Sequence, residues 1–273
     1  MFKMIKLELK RGCTSIGMLI SLTMGIACML YQLIPWINKF EKSKKMWQIY
    51  EEYTSFTRGG FYNLWFPSLL DAASIYYFYF VGIIAVLPFA ASYYKDKKSG
   101  VIKNICTRIR KKTYIKAKYI ATFITGGIAV TIPLIVDFLL VRLYIPYDYF
   151  CTDGTLMSAV TSWGEYMLDH PYIAAVLLLF AWFLWGGVLA CIALTVSAFS
   201  ENYFTIQLMP FFFMLILFYL PGFIPVKYSV VFPYFFLTIF GNSNPIIGIV
   251  ISLVVATGLY VLFVTREAKR DIL

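Results

Sequence analysis

Six apolar runs, near residues 14–34, 75–94, 119–142, 172–199, 204–221 and 245–264, constrain this chain more than any other feature. Each approaches or exceeds the roughly 20 residues that a helix needs to cross the hydrocarbon core of a bilayer. The composition agrees, with 60% hydrophobic and only 14% charged residues, which is not the make-up of a soluble domain. Six spans leave little else in 273 residues. The expected fold is therefore an all-α integral membrane protein, with 1–273 forming a single transmembrane domain.

The formal charge of +10 does not point to nucleic acid, because the basic residues sit beside the ends of apolar runs instead of covering one surface. Four precede the first span, ten lie in Lys95 to Lys118 and three in the last eight residues. Residues 143–171 have none and carry Asp148, Asp153, Glu165 and Asp169. The positive-inside rule puts both termini and 95–118 in the cytoplasm and 143–171 outside. The 35–74 loop, assigned outside, holds five basic residues with four acids, and its length weakens the rule there.

At the N-terminus, MFKMIKLELKRG places Phe2, Ile5 and Leu9 on one wedge of a helix and Lys3, Lys6 and Lys10 on the next. Such a helix can lie in the headgroup layer, and its charges also orient the first span. Pro35 and Trp36 are expected to close that span. The 36–74 loop that follows is rich in Trp, Tyr and Phe, including Trp36, Trp47 and Trp65, residue types that anchor at membrane interfaces, with a substrate-facing vestibule as the alternative. Residues 222–244 are too apolar for a solvated loop and too Pro-broken for a crossing, which predicts a re-entrant segment buried against protein. Asn244 then caps the last span, with Pro245 in its first turn.

Candidate chemistry is sparse. There is no phosphate-binding G-x-x-x-x-G-K-[ST], no G-x-G-x-x-G after a strand and no H-E-x-x-H, so the chain is not expected to be an enzyme or to bind a cofactor or metal itself. His170, the one histidine, stands before Pro171, where it reads as a helix-start residue. The five cysteines lie singly. Asp137 and Arg142 are the ionisable residues read inside a span. Their offset puts them about 140° apart on a helix, which leaves interfacial or packing roles and a relay open.

The Lys95 to Lys118 segment carries the most information. Ile102, Ile105 and Ile109 fall within about 60° on a helical wheel, with Lys103, Thr107 and Arg110 opposite. Ser99 occupies the expected N-cap position. This predicts a short amphipathic helix across the cytoplasmic end, either docking on a protein or holding a topology-fixing basic loop on anionic lipid.

An amphipathic start like MFKMIKLELKRG, the loop SGVIKNICTRIRKKTYIKAK leading into the third span, six spans and a Pro-rich segment before the last resemble the permease subunit of type 2 ATP-binding-cassette exporters. The resemblance covers essentially the whole chain. Where members carry an acid shortly before the glycine, this chain has Lys97, Lys98 and Ser99, with Asp96 four residues back. The resemblance implies an elbow helix over 1–13 and a coupling helix over 99–112 pressed against a separate nucleotide-binding ATPase. Val101, Ile102, Ile105, Arg108, Ile109 and Lys112 are then the coupling residues. ATP and Mg would be bound by two copies of that ATPase subunit. A second membrane subunit, identical or related, would complete the pathway. An amphipathic or hydrophobic cargo, such as a peptide or antimicrobial peptide, would cross the bacterial cytoplasmic membrane. The alternatives are an ATP-independent channel or carrier and, more remotely, an intramembrane enzyme.

Overall fold

Apolar side chains fill most positions of the long helices, and the outcome is a bundle. The computed structural model describes residues 1–47, 65, 72–144, 170–224, 231–238 and 244–268, and among these the chain is helical with no strand. The helices are α1 (Phe2–Cys13), α2 (Ile16–Trp47), α3 (Ala72–Val86), α4 (Ser92–Lys98), α5 (Val101–Cys106), α6 (Lys111–Tyr144), α7 (Pro171–Val196), α8 (Tyr203–Tyr219), α9 (Pro233–Phe236) and α10 (Pro245–Ala268). A 3₁₀ turn, Leu220–Phe223, extends α8. Asp148, Asp153, Glu165, Asp169 and Cys151, most of the 36–74 loop, and 225–230 and 239–243 of the expected re-entrant segment lie outside the described residues.

Five of these helices, α2, α6, α7, α8 and α10, are long and apolar enough to cross a membrane, which fits a membrane-embedded protein. Six were expected. The difference lies in the 75–94 run, where α3 ends at Val86 after 15 residues. At 1.5 Å per residue it spans about 22 Å, short of the ~30 Å hydrocarbon core. The break falls at Pro88, which has no N–H to give the carbonyl of Ile84. The first span supplies the missing donor: Ser21 Oγ donates to that carbonyl at 2.7 Å. Ser15 Oγ donates to the carbonyl of Pro88 itself at 2.8 Å. A break among apolar neighbours is thus satisfied from inside the protein. A Cβ added at Gly17 would stand 2.0 Å from the Leu87 carbonyl oxygen, so glycine is what lets α2 lie against the break.

The start of α6, by contrast, is earlier than its apolar run suggests, and the apolar, span-forming part of α2 is Ile16–Pro35, as expected, although the helix itself does not stop there. It continues to Trp47 with the proline inside, giving up only the bond to the Tyr31 carbonyl. Trp65 also departs from the expected interfacial role. It is buried, edge-on to Phe138 with centroids 5.2 Å apart, and its indole N–H reaches the Leu134 carbonyl at 3.4 Å.

Helix α6 is the axis of the bundle, meeting α1, α2, α3, α7 and α10. Its closest neighbour is α7, because glycines face glycines across the crossing. A Cβ on Gly126 would meet the Gly186 carbonyl at 2.9 Å, and one on Gly187 the Phe123 carbonyl at 2.8 Å. These pairs bring two backbones of one chain together, as small residues do in membrane helices. Around them lies a core of Tyr77, Phe78, Val130, Trp182, Trp185, Leu189 and Phe236. Short α9 belongs to this core: the Trp182 indole donates to the Leu237 carbonyl at 2.9 Å, and Gly248 admits the Phe236 ring. Asn244 caps α10 as expected, its Oδ1 accepting from the N–H groups of Ile246 and Ile247 at 3.1 and 3.3 Å. His170 precedes α7 as its N-cap residue, without a side-chain cap bond, and is exposed.

Candidate functional site

At the end of the bundle where α1, α4, α5 and the start of α6 meet, two acids and two cations join across 110 residues of sequence. Glu8 of α1 and Asp96 of α4 are each 1% exposed, and Lys118 of α6 is fully buried. Lys118 Nζ lies 2.6 Å from Asp96 Oδ2 and 3.1 Å from Glu8 Oε2. Arg11 grips Asp96 with both guanidinium arms, at 2.8 Å to Oδ1 and 3.1 Å to Oδ2. The Tyr114 hydroxyl donates to Asp96 Oδ2 at 2.8 Å. The Lys118 ammonium also sits 4.4 Å from the centre of the Phe89 ring, in the segment just after the Pro88 break. Two positive and two negative charges balance, which is the condition for burying any of them.

Local sequence explains the convergence. Glu8 and Arg11 are three residues apart, and Tyr114 and Lys118 four apart, so each pair shares a helix face. Met4, Glu8 and Gly12 form the buried face of α1. The Phe2, Ile5, Leu9 wedge lies beside that face, with Phe2 85% exposed and Ile5 and Leu9 half-buried. Gly12 completes the fit, since a Cβ there would meet Thr125 at 2.6 Å and the Phe89 ring at 3.3 Å. Beside the node, the Tyr93 hydroxyl of α4 donates to Glu267 at the end of α10, and Glu267 is also buried.

Burial opposes the charge on Asp96, but the Arg11 hydrogen bonds, the Lys118 charge and the Tyr114 hydroxyl outweigh it, and the carboxyl is held below its ordinary range. The hydrogen bond to Asp96 in turn raises the Arg11 guanidinium. A carboxyl with a depressed folded pKa contributes stability above its unfolded value, and that contribution fades as pH falls toward the folded value. We expect the wild-type chain to keep this contribution in full above about pH 4, the ordinary aspartate value, and to lose it on further acidification. Unfolding midpoints measured against pH should show a shallower acid limb in Asp96→Asn.

The expected coupling segment is two pieces. Ser99 does not open the helix; it closes α4, its hydroxyl donating to the Lys95 carbonyl at 2.8 Å. Gly100 is the N-cap of α5, with φ of 72°. α5 ends at Cys106, so 99–112 is a six-residue helix, a turn and the first residues of α6. No atom lies within 4 Å of a Cβ added at Gly100, so its requirement is purely one of backbone conformation. Gly100→Ala is expected to cost about 1–2 kcal/mol and Gly100→Asn less, because asparagine tolerates the left-handed region. Thermal unfolding of the two variants side by side checks this.

The isoleucine stripe faces inward. Ile102 is buried and Ile105 and Ile109 are half-buried against Met4, Tyr93, Tyr114 and Ile115 of the same chain. The outward side of α5 and its following turn carries Val101, Lys103, Asn104, Thr107 and Arg108, with Arg110 and Lys112 exposed beyond them. Asp96 does not reach that surface either; its oxygens are taken by Arg11, Lys118 and Tyr114. Asp137 and Arg142 belong to the opposite end of α6, Asp137 about 28 Å along the helix from Lys118. Asp137 is buried, and the Arg142 guanidinium lies 5.9 Å from the centre of the Tyr172 ring.

Glu8, Arg11, Tyr114, Lys118 and Glu267 are functional candidates that pattern reading passed over. One signal was available: Glu8 is the only acid before Glu41, set among Leu7 and Leu9. Among the described residues no three His, Cys, Asp or Glu side chains gather as a metal set. Compared with protein-family models, curated proteins and solved structures, the chain matches none.

Proposed function

We propose that this chain is the membrane subunit of an ATP-driven exporter, its energy supplied by a separate ATPase that docks on α5. The observation that carries the reading is the mounting of α5. Its isoleucines anchor it to the bundle, its other side offers Val101, Lys103, Asn104, Thr107 and Arg108, and the preceding helix is tied by Asp96 to α1 and α6. A loop that served only to orient spans needs charge, not a wired helix. A push on α5 would travel through the Asp96 bonds to Lys118 in α6 and, through the α4 stem, to the Pro88 break.

In this reading Val101, Arg108 and Lys112 meet the ATPase, while Ile102, Ile105 and Ile109 hold the helix in place for it. The basic end faces the cytoplasm of a bacterium. Two copies of the ATPase bind ATP and Mg, and a second membrane subunit, most simply an identical chain, completes the pathway. The glycines of α6 and α7 are occupied within one chain, whereas α8 and α10 expose Phe212, Ile216, Val250, Val254 and Val261, faces that suit lipid or that second subunit. The cargo is an amphipathic or hydrophobic molecule drawn from the membrane, a peptide or antimicrobial peptide by the resemblance described above.

Copurification from native membranes tests this. An ATP-hydrolysing subunit should come down with the wild-type chain and be lost, with insertion intact, in Val101→Asp/Arg108→Glu. Retention of no ATPase by the wild type would favour a channel or carrier. Retention by the double variant would move the docking site elsewhere.

A further inference from the structure

Apart from buried Lys118 and the exposed Glu201 that pairs with Lys97, the charges of the basic end are sorted by depth. Glu8, Asp96 and Glu267 are buried, whereas Lys3, Lys6, Lys10, Lys95, Lys98, Lys103, Arg108, Arg110, Lys112 and Lys116 are exposed. Within α1 the sorting has a direction. At about 100° per residue, Lys3, Lys6 and Lys10 cluster on the side of the helix opposite Met4, Glu8 and Gly12. The node that holds one face of α1 against α6 therefore aims three ammonium groups away from the protein.

What covers those lysines is indicated by their neighbours. Phe2 and Leu7 flank them at 85% and 59% exposure, and the apolar surface continues onto α2 through exposed Ile16, Leu19 and Ile20. The outward face of α5 has no such apolar flank beyond Val101. A cationic strip bordered by bare apolar side chains and continuous with the lipid-exposed surface of a candidate span suits the headgroup layer: ammonium groups at the phosphates, Phe2 and Leu7 at the acyl boundary.

We propose that the Lys3, Lys6 and Lys10 face of α1 is a docking surface for anionic phospholipid. Arg11 links that surface to the node. Its side chain is 47% exposed while two of its guanidinium arms hold Asp96, so the helix that lies on the lipid is the helix that positions α4. Anionic lipid would thus steady α1 and, through Arg11 and Glu8, the mounting of α5. This requires no ATPase and is tested without one. Three lysines near an anionic surface strengthen association on the order of 10²-fold, and each one by several-fold.

The experiment uses the full chain reconstituted in phosphatidylcholine vesicles and in vesicles with roughly one quarter phosphatidylglycerol. Amide hydrogen exchange of α1 is the readout, with α6 and α7 amides reporting that the bundle is intact. We expect α1 exchange to slow several-fold in the anionic vesicles, the slowing to vanish in Lys3→Gln/Lys6→Gln/Lys10→Gln, and the corresponding triple Arg variant to keep it. Free glycerol phosphate added to the phosphatidylcholine vesicles should have no effect. Equal exchange in both vesicles, retention of the slowing by the Gln variant, or reproduction of it by glycerol phosphate would each overturn the proposal.

Discussion

Replacing Lys118 with methionine is expected to destabilise the folded chain by about 3–5 kcal/mol, although the two side chains are close in volume. The loss is electrostatic. Lys118 is the cation that faces Glu8 and one of two that face Asp96, and both acids are shut away from water. Without it the buried Glu8 carboxylate loses the ammonium it is bonded to. Adding Glu8→Gln to Lys118→Met should therefore restore much of the stability, a non-additivity that a double-mutant cycle reads directly. Thermal unfolding of the single and double variants in one detergent or vesicle is the measurement. Equal stability of wild type and Lys118→Met would mean that the node contributes nothing net.

Gly17→Val is expected to be the most damaging of the glycine substitutions at the break after α3. The obstacle at 2.0 Å is the Leu87 carbonyl oxygen, with the Leu87 carbonyl carbon at 2.8 Å, and backbone cannot rotate aside as a side chain can. Overpacking of this kind costs about 1–3 kcal/mol, and more where a helix must shift to relieve it. Displacing α2 would also pull Ser15 and Ser21 off the carbonyls they satisfy. Gly258→Val is the control, since nothing stands within 4 Å of a Cβ there. Unfolding of the two variants should differ sharply.

The long apolar runs made the helices legible, because a span is specified by length and hydropathy alone, and the cap at Asn244 and the helix start at Pro171 followed from local turn chemistry. The break was harder to see. Leu87, Phe89, Ala90 and Ala91 continue the apolar run across Pro88, so hydropathy stays high while the backbone stops being helical. The candidate site was least legible of all. Counting charges by segment treats each Lys or Glu as a surface group, and whether Glu8 meets Lys118 depends on how two helices cross, not on either helix by itself. The isoleucine stripe shows the same limit: its period marked an apolar side over 102–109 but could not say that the helix would end at Cys106 or that the apolar side would face the chain's own core.

The serines at the break have a consequence for biogenesis. Ser15 and Ser21 belong to α2, which the ribosome delivers before α3 and the break whose carbonyls they satisfy. The donors are waiting when the acceptors arrive, so the short helix α3 folds beside a helix already equipped to receive it. The ionic cluster is made in a similarly favourable order, Glu8 and Arg11 first, Asp96 next, Lys118 last. Arg11 and Asp96 can neutralise each other early, and the deepest cation is synthesised only when both of its counterions are in place.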